Sequence, residues 1–404
     1  MSIFATRLDG IVPSPIAVLS QKARDLKSAG RDVIDLGVGE PDFDTPEFVR
    51  RAVVEALEAG QTRYTATNGS QELREAICAK FSRDNGLQFT PAQIAVSSGA
   101  KQILFNAMMA TLDAGDEVVI PAPYWASYPD IIRIAGGTPV FVPSTEEDGF
   151  LMRPQALERA ITPRTKWLLL NSPNNPSGAA YDAATLGEIA EVLLGHPHVW
   201  LLSDDIYEHL LFDGRRFSTI ASLQPKLQER TVTLNGVSKT YAMTGFRLGY
   251  AGGPEPMIRA MTNVQTQSTT HASSLSQAAA LAALTGPQEF LGGWVKSFAQ
   301  RRDLVVQRLR AIPGFTCRVP EGAFYVFAGC AALVGSTTRS GARIGSDSDL
   351  AMYLLEHAGV STVPGTLFGT PGFVRLSTAA GEPTLVQACE RIAAACEELR
   401  REGS

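Results

Sequence analysis

Helical patterns alternate with short apolar runs along most of this chain, and this alternation constrains the fold more than any other feature. The sequence predicts helices over residues 46–59, 70–84, 101–112 and 128–135. It predicts strands over residues 93–97, 117–120, 139–142, 165–170, 199–203 and 231–235. Apolar runs of this length, bounded by polar or turn residues, are typical of parallel strands covered on both faces. We therefore expect a doubly wound α/β sheet, whose ligands gather at the carboxyl ends of the strands.

The C-terminal part of the chain predicts a second, smaller unit. A long helical region near 287–312 is followed by a strand over 324–328, a loop over 335–348, a helix and an apolar run over 360–363. A chain of 404 residues is also too long for one ordinary hydrophobic core. We expect a large domain over residues 46–290. A smaller α+β domain is expected from residues 1–45 together with 291–404, because the N-terminal segment should fold back onto it.

Composition and charge exclude several classes of function. The net charge is −5 without a basic tract, which argues against nucleic acid and membrane surfaces as partners. No apolar stretch approaches the ~20 residues of a membrane span, and the N-terminus lacks a secretory signal pattern. The five cysteines are dispersed, as is typical of reduced thiols in a cytoplasmic protein. Cys389 and Cys396 should share one buried helix face. No metal-ligand spacing is present, so we expect no metal.

The segment from Asn235 to Gly249 carries the clearest chemical signal. Lys239 lies there among small and apolar residues, whereas surface lysines normally have polar neighbours. Burial lowers the pKa of a lysine and makes the neutral, nucleophilic amine available. An aldehyde-bearing cofactor needs such an amine to form an imine, and Arg247 could hold a phosphate in a forked grip. The alternative is a buried loop lysine beside a structural arginine.

The pattern Ser-Lys-x-x-x-Met-x-Gly-x-Arg in this segment resembles the cofactor-lysine motif of class I pyridoxal-phosphate aminotransferases. The resemblance implies fold type I, with a large mixed sheet and a smaller domain that closes over the active site. It implies that Lys239 forms the internal aldimine with pyridoxal 5′-phosphate and that Arg247 binds the phosphate. The similarity extends from about Gly39 to Arg375 and beyond, and the spacing of four separate motifs agrees.

Two further motifs imply contacts to the cofactor ring. Ser203-Asp-Asp-Ile-Tyr-Glu matches the family's Asp-x-x-Tyr, so the resemblance places Asp204 at the pyridinium nitrogen and Tyr207 at the phenolic oxygen. A carboxylate at that nitrogen makes the ring an electron sink. An acid that caps the next helix is the alternative, and it fits Asp205 better. In Asn171-Ser-Pro-Asn-Asn-Pro-Ser-Gly, the family's asparagine for the phenolic oxygen matches Asn175.

A strand-to-helix turn predicts the phosphate site. Gly99, Ala100 and Lys101 follow a predicted strand and open a helix, where backbone N–H groups attract phosphate. Trp125 follows the next strand and matches the aromatic residue that stacks on the pyridine ring. Without the resemblance, a tryptophan would be assigned to the core.

The remaining matches concern the substrate and a second subunit. Arg375 lies among alternating apolar residues, a costly position for an arginine unless it meets an anion. The resemblance implies that Arg375 and the backbone of Gly39 bind the substrate α-carboxylate. Trp125 and Asn175 also belong to the implied substrate site. Tyr64 matches a tyrosine that reaches the phosphate of the neighbouring subunit, which implies a homodimer with shared active sites.

The chain is most similar to the bacterial Ib subgroup of aspartate aminotransferases, whose members use aspartate and 2-oxoglutarate, and some prephenate. There Lys101 matches a lysine that contacts the distal carboxylate. A phosphate contact or a solvated first-turn lysine is the alternative. The chain departs from the subgroup at Val12, Phe246 and His271, and Gly236 replaces a phosphate-binding serine that many aminotransferases have. The amino donor is therefore less firmly implied than amino-group transfer.

Three other functions remain to be weighed. A lyase or decarboxylase, or an aminotransferase for aromatic or many substrates, would use the same scaffold. A non-catalytic effector-binding protein would retain the fold, but the chain has no helix-turn-helix extension. A Rossmann dehydrogenase requires a GxGxxG motif after its first strand, and the sequence lacks one.

Overall fold

A computed structural model describes residues 3–11 and 15–400. Its helices are α1 (Pro15–Ser28), α2 (Glu47–Glu58), α3 (Gln71–Lys80), α4 (Ala100–Thr111), α5 (Tyr128–Ile134), α6 (Pro154–Ala160), α7 (Ala183–Gly195), α8 (Ile220–Leu223), α9 (Glu255–Thr266), α10 (Ser274–Thr285), α11 (Phe290–Arg310), α12 (Asp347–Tyr353) and α13 (Glu382–Glu397). Its strands are β1 (Ile34–Asp35), β2 (Ile94–Ser97), β3 (Glu117–Ala122), β4 (Thr138–Pro143), β5 (Thr165–Asn171), β6 (Trp200–Asp204), β7 (Thr231–Gly236), β8 (Gly249–Gly252), β9 (Thr316–Cys317), β10 (Tyr325–Gly329), β11 (Val360–Ser361), β12 (Val363–Pro364) and β13 (Phe373–Ser377). No helix within the described ranges is long and apolar enough to span a bilayer.

Seven strands form one mixed sheet in the order β2-β8-β7-β6-β5-β3-β4. Strand β8 runs antiparallel to both of its neighbours, and the remaining pairs are parallel. The six strands predicted from apolar runs all lie in this sheet, so the doubly wound α/β fold is confirmed. Strand β8 was not predicted, because a Gly-Tyr-Ala-Gly run is too short and too rich in glycine to indicate a strand.

Both faces of the sheet are covered, as the apolar character of its strands requires. In β5, Trp167 and Leu169 join the core with α4 and α9 on one face. The alternate residues Leu168 and Leu170 join the core with α6 and α7 on the other. Successive strand residues point to opposite faces, so a continuous apolar run supplies two cores at once.

The parallel register brings the carboxyl ends of the central strands side by side. Asn171, the last residue of β5, pairs with Asp204, the last residue of β6, and β7 ends next to them at Gly236. Side chains that follow these three strands therefore emerge at one edge of the sheet. This edge is where ligands bind in open α/β sheets.

A second, antiparallel sheet of four strands has the order β12-β13-β10-β9, and its own apolar core includes residues of α11 and α13. Strand β1 pairs in parallel with β11, so the N-terminal segment does fold back onto the C-terminal part. Cys389 and Cys396 are both buried on α13, as predicted. The division into domains at residues 45 and 290 stays a prediction.

Two predicted elements differ from the observed ones. The helix predicted over 70–84 ends at Lys80 and continues as one wider π-helical turn, Phe81–Asn85, before Gly86 terminates it at a φ of 68°. The run over 360–363 is split between β11 and β12, which belong to different sheets. Asp205 caps no helix, because residues 205–208 form a turn, closed by a bond from the Glu208 N–H to the Asp205 carbonyl.

Candidate active site

A cavity of about 400 Å³ opens where the carboxyl ends of β6 and β7 meet α4, β10 and β13. It is lined by most of the residues that the sequence singles out for catalysis and binding. These are Gly39, Ala100, Lys101, Trp125, Asn175, Asp204, Tyr207, Lys239, Arg247 and Arg375. Gly99 directly precedes this lining. Residues from four separate motifs thus share one cavity, although 200 positions separate the hydrogen-bonded partners Asn175 and Arg375.

Lys239 follows β7 and extends its amine into the cavity. The amine donates a hydrogen bond of 2.7 Å to the carbonyl oxygen of Gly39. Burial lowers the pKa of Lys239 to about 8, and the positive charge of Arg375 acts in the same direction. A substantial fraction of the amine is therefore neutral near pH 8, which is the state required of a nucleophile or a base.

Asp204 ends β6 and is buried in the cavity wall. The hydroxyl of Tyr128 donates a 2.6 Å hydrogen bond to its Oδ2. The side-chain amide of Asn171 donates to the Asp204 carbonyl oxygen at 2.9 Å, which fixes the backbone at the strand end. Burial raises the pKa of Asp204 to about 6, although the Tyr128 hydrogen bond opposes this effect. Asp204 is thus an anion above pH 6 that is held in one orientation.

Tyr207 points into the cavity from the turn after β6. Its hydroxyl lies 2.8 Å from the hydroxyl of Tyr325 on β10. Burial raises the pKa of Tyr207 well above its ordinary value, so the phenol stays protonated. A Cβ on Gly39 would lie only 2.1 Å from the Tyr325 hydroxyl, so this position admits no side chain. The Gly39 backbone can therefore approach both tyrosines and Lys239.

Arg375 is a fully buried guanidinium without an acidic partner among the described residues. It donates to Asn175 Oδ1 at 2.8 Å and to the carbonyl oxygen of Gly37. The Tyr325 and Phe368 rings flank it at 4.6 and 5.1 Å. Its Nε atom has no hydrogen-bond partner. A buried cation is costly without an anion, so this arrangement is suited to a carboxylate ligand.

The N-terminus of α4 and Arg247 form a positive corner at the mouth of the cavity. The first N–H groups of a helix have no intrahelical partners and favour an anion. A Cβ on Gly249 would lie 2.2 Å from the Ala100 nitrogen, so only glycine lets β8 pack against this turn. Arg247 has a φ of 52°, a left-handed backbone that arginine rarely adopts and that aims it at Gly99.

Lys101 lies in the same corner, with its amine 4.8 Å from the centre of the Trp125 ring. Partial burial lowers the pKa of Lys101, and the charge of Arg247 adds to this effect. Lys101 and Arg247 are close enough to repel each other, and neither is paired with an acid in residues 3–11 and 15–400. Two such cations indicate an anion site. Phosphate and a distal substrate carboxylate both have the charge that this corner requires.

Tyr64 and His271 do not line the cavity. Tyr64 is 91% exposed and lies edge-on to His271, with ring centres 5.4 Å apart. Val12 lies outside the described residues. Two cavity residues were missed instead. Tyr128 and Tyr325 contact their partners across 76 and 118 positions, and nothing in the sequence around them indicates this.

Comparison with known proteins identifies the family of this chain. The model of the family "Aminotransferase class I and II" matches residues 31–392. The chain is 56% identical over 395 residues to the aspartate aminotransferase of Rhizobium meliloti, spanning 98% of this chain and 96% of the relative. It is 53% identical over 399 residues to the aspartate/prephenate aminotransferase of Cereibacter sphaeroides, spanning 99% of this chain and 100% of the relative.

Solved structures show the same relationship. The crystal structure of the Rhizobium meliloti aspartate aminotransferase superimposes with a TM-score of 0.96 at 56% identity, covering 99% of this chain and 100% of the other. The Thermus thermophilus aspartate aminotransferase with maleate gives 0.90 at 43% identity, covering 98% and 100%. The chain therefore belongs to the class I and II aminotransferases and has their fold type I architecture. It is a transaminase.

Proposed function

We propose that this transaminase moves the amino group of L-aspartate to 2-oxoglutarate, with pyridoxal 5′-phosphate bound to Lys239. The observation that carries the proposal is one cavity that a lysine of lowered pKa shares with a buried carboxylate, Asp204, and with Arg375, a buried guanidinium that has no acidic partner in the described part of the chain. Aspartate is supported by the names of the relatives, which are aspartate or aspartate/prephenate aminotransferases.

The residues present suit pyridoxal phosphate. Asp204 would face the ring nitrogen, and Trp125 the face of the ring. Asn175 uses its Oδ1 for Arg375, which leaves its amide N–H groups for the phenolic oxygen beside Tyr207. The phosphate would meet Arg247 and the N–H groups at Gly99 and Ala100. When bound, the cofactor supplies an electron sink for a bond at the substrate Cα.

The protein contributes orientation and proton transfer. Arg375 binds the α-carboxylate in a forked grip and sets which bond at Cα is broken. Lys239, with a pKa of about 8, takes the proton from the substrate Cα and later returns it. The Gly39 carbonyl accepts a hydrogen bond from the Lys239 amine. This bond keeps the amine on the side of the Lys239 loop that faces the cavity.

We expect Tyr128→Phe to change the pH dependence of cofactor binding. Protonation of Asp204 removes the anion that faces the ring nitrogen, so affinity for pyridoxal phosphate should fall as the pH drops through about 6. The Tyr128 hydrogen bond lowers the pKa of Asp204, and without it the pKa rises further. The fall should therefore begin at a higher pH in the variant, as measured by dissociation constants between about pH 5 and 8.

Tyr124→Phe is the matched control for this change. Tyr124 stacks on Phe141 and is not part of the cavity lining. Its profile should follow the wild type. A Tyr128→Phe profile that coincides with the wild type would show that the phenol does not tune Asp204.

A panel of amino donors tests the proposed reaction. Aspartate with 2-oxoglutarate should give a kcat/KM at least about tenfold above aromatic and aliphatic donors. Aspartate alone should release one equivalent of oxo acid per site and then stop, because the amino group has no acceptor. Continued release would indicate a lyase. Activity with aromatic or aliphatic donors but not with aspartate or glutamate would exclude Lys101 as a distal-carboxylate ligand.

We also propose a homodimer with shared active sites, located in the cytoplasm. Tyr64 is 91% exposed and lies edge-on to the half-buried His271, and a second subunit would cover this tyrosine. Within the described part of the chain the cysteines form no disulfide, as expected in a reducing compartment. A mass in solution near twice 43.3 kDa would support the dimer, and a monomeric mass would exclude it.

A further inference from the structure

A buried ion pair ties down the turn that follows Asp204 and carries Tyr207. Lys80 and Glu208 are fully buried, with side chains 1% and 2% exposed, and they form a salt bridge. Lys80 ends α3, and Glu208 follows Tyr207 in the chain. Tyr207 reaches into the cavity, whereas Lys80 and Glu208 are not part of its lining. The pair therefore connects the end of α3 to this turn without lining the cavity.

Asn85 joins the two charges into a closed network. Its Oδ1 accepts from the Lys80 amine at 2.7 Å, and its Nδ2 donates to Glu208 Oε2 at 2.6 Å. The π-helical turn after α3 brings Asn85 and Asp84 to this side. The imidazole of His209 completes the network, 3.2 Å from Glu208 and 3.5 Å from Asp84. The Lys80 charge holds the pKa of Glu208 below its usual range in spite of burial.

Stability alone does not account for such a pair. Burying two charges costs several kcal/mol per ion, and apolar residues of similar volume are often equally stable or better. The location of the Lys80–Glu208 pair is more informative about its role. The turn after β6 is otherwise tied by few backbone bonds, from Asp205 N–H to Leu234, from Glu208 to Asp205 and from Leu210 to Tyr207. The side chain of Glu208 adds a rigid anchor within this turn.

We propose that Lys80 and Glu208 are positioning residues of the active site, which hold the turn so that Asp204 and Tyr207 face the cofactor ring. This inference rests on the proposed use of pyridoxal phosphate. It predicts that loss of the anchor weakens cofactor binding and slows turnover, while substrate binding at Arg375, which is held by Asn175 and Gly37, changes little.

The variant Lys80→Met/Asn85→Leu/Glu208→Leu removes the ion pair and the asparagine that links it, and His209 keeps Asp84 as its partner. We expect it to fold, and to show a dissociation constant for pyridoxal phosphate about tenfold higher and a kcat about tenfold lower, with the KM for aspartate within about twofold. The double variant Lys80→Met/Glu208→Gln should restore both values to within about threefold. The glutamine amide that it places on this turn can pair with the Asn85 amide and anchor the turn without charge.

Arg164→Met/Glu117→Leu is the control, because this ion pair lies at the amino ends of β3 and β5, whereas the cavity lies at the carboxyl ends of the sheet strands. It should bind the cofactor like the wild type. If the triple variant folds and matches the wild type in affinity and kcat, the pair is only structural and the inference is wrong. If the triple variant does not fold, Lys80→Met/Glu208→Leu replaces it, because it also removes the side-chain anchor of the turn. An unchanged affinity and kcat in that double variant would equally overturn the inference.

Failure of the proposed function is distinguishable from failure of this inference. A wild-type protein that shows no near-visible absorbance band with pyridoxal phosphate would overturn both. A wild type that binds the cofactor but does not use aspartate would overturn only the proposed donor. The cofactor affinities of the variants then still decide the role of Lys80 and Glu208.

Discussion

Lys239→Ala is expected to abolish turnover, with kcat at least ~10⁴-fold below the wild type. The lysine supplies both the amine that binds the cofactor and the base that moves the Cα proton, and no second amine replaces it. Lys101, the other lysine of the cavity lining, lies over Trp125 in the positive corner with Arg247. The near-visible absorbance band of the lysine-bound cofactor should disappear in the same variant. Spectra and steady-state kinetics measure the two effects separately.

An exposed lysine provides the control for this experiment. Lys226 lies on the surface before β7, and Lys226→Ala should retain the absorbance band and the activity of the wild type. The thermal midpoint of Lys239→Ala without cofactor should not fall. Burial disfavours the charged form of Lys239, as its lowered pKa shows, so removing this amine removes an unfavourable interaction. Retained turnover in Lys239→Ala would refute the assignment of Lys239.

Arg375→Met should reduce kcat/KM for aspartate by about 10²–10³-fold, because truncating one partner of a buried charged pair costs ~2–5 kcal/mol. Most of the loss should appear in KM, and inhibition by a non-reacting dicarboxylate should weaken in parallel. The free protein should keep its thermal stability. Removing a buried cation that has no acidic partner leaves no unpaired charge behind.

Arg302 makes a matched comparison, since it is also buried but pairs with Asp213 and Asp303. Arg302→Met should lower the thermal midpoint while leaving the KM for aspartate unchanged. A structural role for Arg375 would give the same pattern in both variants, with lost stability and an unaltered KM. Opposite patterns would identify Arg375 as the residue that binds the carboxylate.

Much of the site is visible in the sequence because its members follow strands. Asp204 ends an apolar run, and Lys239 and Asn175 come shortly after one. Since parallel strands end at one edge of a sheet, residues distant in sequence were expected to meet, and the cavity brings them together. The roles assigned to them by resemblance stay predictions until the variants are measured.

The supporting residues could not be inferred in this way. Tyr128 falls in a predicted helix after Trp125, and Tyr325 in a predicted strand, and neither was assigned a role. Their hydroxyl groups matter because of what lies opposite them, Asp204 and Tyr207. Lys80 was placed inside a predicted helix, where a lysine normally reaches solvent. A π-helical turn and an acid from the turn after β6 make it a buried anchor instead.

The sequence by itself determined the alternation of strands and helices, the class of fold and the lysine at the centre of the chemistry. These follow from local periodicity and from motifs whose residues are close neighbours in the chain. Only the tertiary structure decided the burial of Arg375 without an acid, the hydrogen bond that orients Asp204 and the network behind Tyr207. Burial, desolvation and hydrogen bonding depend on partners far away in sequence, and a local pattern carries no record of them.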